Sequence, residues 1–227
     1  MDPGSDLGSQ AASVGALADP TRRALYEYVV GRSAPVGREE SASALDLPVH
    51  TAKFHLERLV EAGLLATEFR RLGGRSGPGA GRPSKLYRRA DAQVTVSLPE
   101  RRYDLVGHIL ARGVELTRDG RALDDAIHAA AAESGREIGG TATSDDLPAF
   151  TGVLAGQGFE PRVEDDTVLL ANCPFDTLAQ THTALVCGLN QAFVQGVADG
   201  VGCPGATARL EPEPGWCCVK VRVSRGS

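Results

Sequence analysis

Cysteine is missing from the first 172 residues of this 227-residue chain; all five, Cys173, Cys187, Cys203, Cys217 and Cys218, come later. Cysteines used only as small core residues would be scattered, so the clustering points to a thiolate site that belongs to one domain. There is no run of roughly eighteen apolar residues of the kind a membrane-spanning helix needs. The N-terminus, Met1-Asp2-Pro3-Gly4-Ser5-Asp6, is acidic rather than basic and then apolar. No secretory signal is therefore expected, and the expected location is cytoplasmic. In that reducing compartment an odd set of five thiols does not read as a disulfide framework. No C-x-x-C pair occurs, which disfavours zinc ribbons and thioredoxin-type redox sites. No glycine motif sits between a strand and a helix to cradle phosphate. The paired acids Asp124-Asp125, Asp145-Asp146 and Asp165-Asp166 fall at helix starts or turns, where capping and solvation account for them. No residue is assigned as catalytic, and an enzyme is not expected. No internal repeat is visible.

What is present suits two modest soluble domains: 42% hydrophobic and 23% charged residues. The net charge of −5 conceals an asymmetry. Residues 1–118 hold 17 Lys/Arg against 14 Asp/Glu, whereas residues 119–227 hold 7 against 15. The local field at a contact surface governs binding, so the N-terminal half is suited to nucleic acid and the C-terminal half is not.

Residues 1–13 read as a disordered leader. From Val14 the apolar residues Leu17, Ala18, Leu25, Tyr28 and Val29 recur near a period of 3.6, with Asp19-Pro20 as cap and first-turn proline. A second helix is expected over 38–45 and a third over 49–62, with Ala52, Leu56, Leu59 and Val60 inward. Residues 64–70 and 84–88 read as strands around a glycine-rich loop. Three helices followed by a hairpin is the order of a winged helix-turn-helix. Helices over 100–117 and 121–138 follow. The tail reads as α+β: a short helix over 147–156, strands over 159–163 and 167–172, a helix over 185–201, and a hairpin from 206–211 and 216–224.

A helix that enters the major groove, about 12 Å wide, needs an apolar back and a polar front near its N-terminus. The third helix offers His50, Thr51, Lys53 and Phe54, with Arg58 further along. The hairpin offers a phosphate clamp that includes Arg75, Arg82 and Lys85. The segments Leu17-Ala18-Asp19-Pro20-Thr21-Arg22-Arg23, Thr51-Ala52-Lys53-Phe54-His55-Leu56-Glu57-Arg58-Leu59 and Gly81-Arg82-Pro83-Ser84-Lys85-Leu86-Tyr87 resemble bacterial ArsR-type winged-helix repressors. The resemblance covers roughly residues 14–118. It implies binding of double-stranded operator DNA by a homodimer, without implying what is sensed.

In the tail the cysteines are widely spaced, but ligands from a strand end, a helix and a second hairpin can converge. Strand alternation puts Trp216, Cys218, Lys220 and Arg222 on one face and Cys217, Val219, Val221 and Val223 on the apolar one. Asn172-Cys173-Pro174-Phe175, Val186-Cys187-Gly188, Arg209-Leu210 and Cys218-Val219 resemble the sensor domain of SufR-type iron–sulfur repressors. That resemblance implies an iron–sulfur cluster, 4Fe-4S with 2Fe-2S or zinc as alternatives, on Cys173, Cys187 and Cys218. The fourth corner stays open among Cys217, Cys203, His182, Asn172 and a small exogenous molecule.

The expected fold class is α+β: a leader (1–13), a winged helix-turn-helix (14–98), a helical linker and dimerisation region (99–140) and a cysteine-containing sensor domain (141–227). The expected function is a transcriptional regulator, a repressor, that senses redox, nitric oxide or iron–sulfur status. The alternative is an ArsR-like repressor that senses zinc or another thiophilic metal, or acts as a thiol-redox switch, without a cluster.

Overall fold

The computed structural model describes residues 7–71 and 83–224. It divides into two units, Met1–Val96 and Ser97–Ser227, each with its own core.

In the first unit, helix α1 (Leu7–Gly15) precedes a short 3-10 turn and helix α2 (Pro20–Val30). The leader expectation therefore fails for residues 7–13. Ser13 explains why: its buried hydroxyl donates to the carbonyls of Ser9, at 3.0 Å, and Ala62, at 2.8 Å, which anchors α1 to the unit. Asp19 caps α2 by accepting from the Arg22 amide at 2.8 Å, and Pro20 supplies the pre-set φ of a first helical residue. The short strand β1 (Val36–Gly37) leads into α3 (Arg38–Ala44), and a turn with Asp46 at φ 52° sets up α4 (Val49–Glu61). Gly63, at φ 70°, ends that helix and turns the chain into β2 (Leu65–Arg70), which pairs with β3 (Ser84–Arg89). The sheet order is β1-β3-β2, all antiparallel. Leu25, Val29, Ala42, Ala52, Leu56, Leu59 and Tyr87 fill the core.

The second unit begins with α5 (Tyr103–Leu116) and α6 (Leu123–Gly139), which pack into the same core as the cysteine-bearing elements. After them come α7 (Leu147–Ala155), β4 (Pro161–Glu164), β5 (Thr167–Leu170), α8 (Asp176–Thr181), α9 (Thr183–Val201), β6 (Ala206–Leu210) and β7 (Val219–Val223). The paired acids do structural work here. Asp124 and Asp125 sit in the first turn of α6, Asp146 caps α7 through the Ala149 amide at 2.8 Å, and Asp165 takes the φ 51° position between β4 and β5.

The four strands form one antiparallel sheet in the order β4-β5-β7-β6. Gln195 of α9 grips the β6 edge, accepting from the Ala208 amide at 2.9 Å, while Gln191 donates to the Ala208 carbonyl at 3.1 Å. Phe159, Phe175 and Phe193 meet in the core.

Helix α9 crosses α6 at backbone contact. A Cβ added at Gly196 would lie 2.2 Å from the Ala132 carbonyl oxygen, and one at Gly200 would lie 2.4 Å from that of Arg136. From the other side, Gly135 and Gly139 face Phe193 O and Val197 O at 2.2 and 2.4 Å in the same sense. The contacts advance together along both helices, so α6 and α9 run parallel. Four glycines bring the axes closer than side chains would permit.

Candidate functional site

The first candidate surface is α4. Its inward residues Ala52, Leu56 and Leu59 are fully buried, which turns His50, Lys53, Phe54 and Arg58 outward. With Glu57 and Glu61 these four line a shallow outer cavity. Phe54 is 54% exposed, an unusual position for a phenyl ring, and the Arg58 guanidinium lies 5.5 Å from its centre. Thr51 is half-buried beside this face. Arg58 is paired with Glu61 at 2.8 Å. Lys85 is held by Glu57 at 2.6 and 2.8 Å, so the hairpin cation is anchored to α4 rather than free. Arg75 and Arg82 lie outside the described residues.

Glu57 is the hub that locks hairpin to helix, since it also accepts from the Tyr87 hydroxyl at 2.8 Å. Partial burial pushes its carboxyl up, but the bonds from Lys85 and Tyr87 outweigh burial and hold it below its ordinary value of 4.5. Burial, and then the bond to Glu57, push the Tyr87 hydroxyl up, so it stays a donor at neutral pH. A depressed carboxylate contributes stability that is full above its ordinary value and is lost as pH falls through the depressed one. Glu57→Ala is expected to cost about 1–2 kcal/mol at pH 7 and to flatten the loss of first-unit stability below pH about 4.5, read by urea unfolding across pH.

The second candidate site is built by Cys173, Cys187, Cys217 and Cys218. Cys173 lies just beyond β5, where the fully buried Phe175 pins the loop. Cys187 lies in the second turn of α9, buried on the helix. The Cys217 amide donates to the Leu170 carbonyl at 2.9 Å, which seats it beside the end of β5. Cys217 is 4% exposed and Cys218 half-buried, in line with the alternation of the following strand.

The thiols interact as two pairs, Cys173 with Cys217 and Cys187 with Cys218. The bond from Cys217 holds the Cys173 thiol below its ordinary range, and the same bond together with burial pushes Cys217 far up. Burial, then the bond with Cys218, push Cys187 up to about 12. Charge on Cys173 reaches Cys187, and charge on Cys218 reaches Cys217, so the two pairs form one electrostatic group. Among the described residues, no three Cys, His, Asp or Glu side chains are drawn in to metal-binding distance.

The donor set nonetheless suits a thiophilic group: four sulfurs, from a strand end, a helix and the lead-in to β7. Asn190 adds to this. It is 1% exposed, its Nδ2 lies 3.2 Å from the Cys217 sulfur, and its Oδ1 is buried without a hydrogen-bond partner. The sequence reading missed Asn190, whose only signal is an amide within the apolar run of α9. It also missed His128, whose Nε2 lies 2.8 Å from where a Gly188 Cβ would stand, next to Cys187 in the chain.

Of the other sequence candidates, Cys203 stands apart. It is buried, and burial followed by the charges of Asp146 and Asp145 push its thiol up. His182 is exposed at the junction of α8 and α9. Asn172 uses its amide to bind Arg101, Glu100 and Gly158.

No helix among the described residues is long and apolar enough to cross a membrane. No curated protein and no solved structure matches the chain. Residues 17–68, which span α2, α3, α4 and the start of β2, match the family model of a helix-turn-helix domain, and the chain carries that domain.

Proposed function

We propose that this protein is a dimeric, cytoplasmic DNA-binding repressor whose second unit senses through an iron–sulfur cluster held by Cys173, Cys187 and Cys218. The observation that carries the reading is the gathering of thiols from three separate elements into one electrostatic group. Cys217 is the fourth donor we favour, because it already bonds Cys173, while Cys203 keeps company with Asp145 and Asp146. A bound cluster supplies a centre that oxidants, nitric oxide or iron shortage can alter. The protein's own part is to bring β5, α9 and the approach to β7 to one point, and to keep that point among buried apolar groups such as Phe175 and Val219.

DNA recognition follows from the outward face of α4. Its His50, Thr51, Lys53, Phe54 and Arg58 are the proposed base-edge and backbone contacts, with Arg75 and Arg82 serving the phosphates and Lys85, held by Glu57, fixing the hairpin to the helix. Lys53→Ala is expected to weaken binding to different duplex sequences about equally and to lower the slope of log affinity against log salt by about one. A salt titration with two unrelated duplexes checks this; an unchanged slope removes Lys53 from the interface.

A second reading is favoured by the pairing itself. Cys173 with Cys217, and Cys187 with Cys218, are arranged as dithiols, which suits a thiol-redox switch, and the same sulfurs suit zinc. Absorbance with iron, sulfide and zinc analysis separates the three.

A further inference from the structure

In the second unit, the loop that bears Cys173 is fastened to the segment by which the chain arrives from the first unit. Asn172 is 7% exposed; its Nδ2 donates to the Gly158 carbonyl at 2.6 Å and to the Glu100 carbonyl at 3.1 Å. Its Oδ1 accepts from the Arg101 guanidinium at 2.6 Å. The same guanidinium donates to the Cys173 carbonyl at 3.3 Å and faces the Asp176 carboxylate at 3.8 Å. One residue on, the Arg102 amide donates to the Pro174 carbonyl at 3.1 Å. Residues 100–102 and 172–174 are thus laced together across some seventy positions of sequence. Bonds that involve a largely buried cation are the stronger kind, and a polar network in which members share partners moves as a unit.

We propose that the Asn172–Arg101 clamp carries the state of the cysteine site to the tether of the DNA-reading unit, with Arg101 and Asn172 as positioning residues. This rests on the cysteines being a ligand site. Among the described residues no three ligating side chains stand at metal-binding distance, so metal–sulfur bonds of about 2.3 Å require the thiols to be drawn inward. Loading the site moves Cys173, and the backbone that moves with it is the backbone the clamp grips. Residues 100–102 lead directly into α5, whose Val106 and Ile109 are buried in the core, so a shift there re-aims the start of a helix rather than dissipating in a loop. An element that both sites bias is what coupling between them needs.

Asn172→Ala strips the buried Gly158 carbonyl and the Glu100 carbonyl of their donor and can unfold the loop, so Arg101→Gln carries the test and Arg101→Lys serves as the charge-retaining control. Hydrogen exchange of the 97–104 segment, including the Arg102 amide, is measured on the full chain in three states: unloaded, reconstituted anaerobically with ferrous iron and sulfide, and loaded with zinc. Affinity for a duplex selected by the wild type from a random-sequence pool is measured alongside. In the wild type, loading is expected to change both readouts roughly 5–150-fold. Arg101→Gln is expected to keep its metal content while both ratios fall to near one, and Arg101→Lys to restore part of them. A wild type that takes up no iron but responds to zinc removes the cluster and supports the clamp. Arg101→Gln protein that binds metal with both ratios intact overturns the clamp, as does a wild type whose 97–104 segment responds to neither load.

Discussion

Gly196→Val is expected to cost the second unit about 3 kcal/mol or more and to lower its thermal transition by about 10–20 °C. The reason is geometric. A Cβ at this position meets the Ala132 carbonyl oxygen at 2.2 Å and the Ala132 Cα at 2.9 Å. Both obstacles are backbone, so no rotamer change relieves the clash and the whole of α9 must withdraw from α6. That withdrawal also opens the Gly135, Gly139 and Gly200 contacts. Out of a total stability of roughly 5–15 kcal/mol, the loss is a large share. Gly188→Ala is the control: the atom its Cβ meets, at 2.8 Å, is Nε2 at the far end of the exposed His128 side chain, which can swing aside. The gain in helix propensity, up to about 1 kcal/mol, then offsets the disturbance. Circular dichroism melts of both variants check this, and equal transitions for Gly196→Val and wild type would mean that the two helices do not pack through glycine.

Cys187→Ser is expected to abolish metal uptake, with iron and sulfide contents falling at least roughly tenfold. Loss of a group that merely supports a ligand already costs roughly 10–100-fold in metal affinity. Cys187 is the only cysteine that α9 contributes, and its partner in the structure is Cys218. A serine hydroxyl there has neither the softness nor the thiolate charge that a cluster or zinc requires. Cys203→Ser should leave metal content unchanged, because that thiol stands with Asp145 and Asp146 rather than with the four. Elemental analysis of the two variants side by side decides the matter; wild-type iron in Cys187→Ser would remove it from the ligand set.

Periodicity made the helix-turn-helix readable. Leu25, Val29, Ala52, Leu56 and Leu59 recur at helical spacing, and all are buried as that spacing requires. The same alternation argument turned Cys217 inward and Cys218 toward the half-exposed face. Elements too short to show a period were not readable: β1 has only Val36 and Gly37, and α8 only Asp176–Thr181. Helix α1 was missed from Leu7 because its anchor, Ser13 to the Ala62 carbonyl, joins residues 49 positions apart. The glycines of α6 and α9 each looked like local weak points, and their meaning appears only once the two helices are mated. The clamp of Arg101 on Asn172 escaped for the same reason, since nothing near either residue in sequence announces the other.

The central claim, a regulator whose cysteines hold a cluster, is tested most directly by purifying the full chain anaerobically and measuring its absorbance together with iron, sulfide and zinc. A brown protein with a broad band near about 400–420 nm and matched iron and sulfide is the predicted result. A colourless protein, whether zinc-loaded or metal-free, would contradict it.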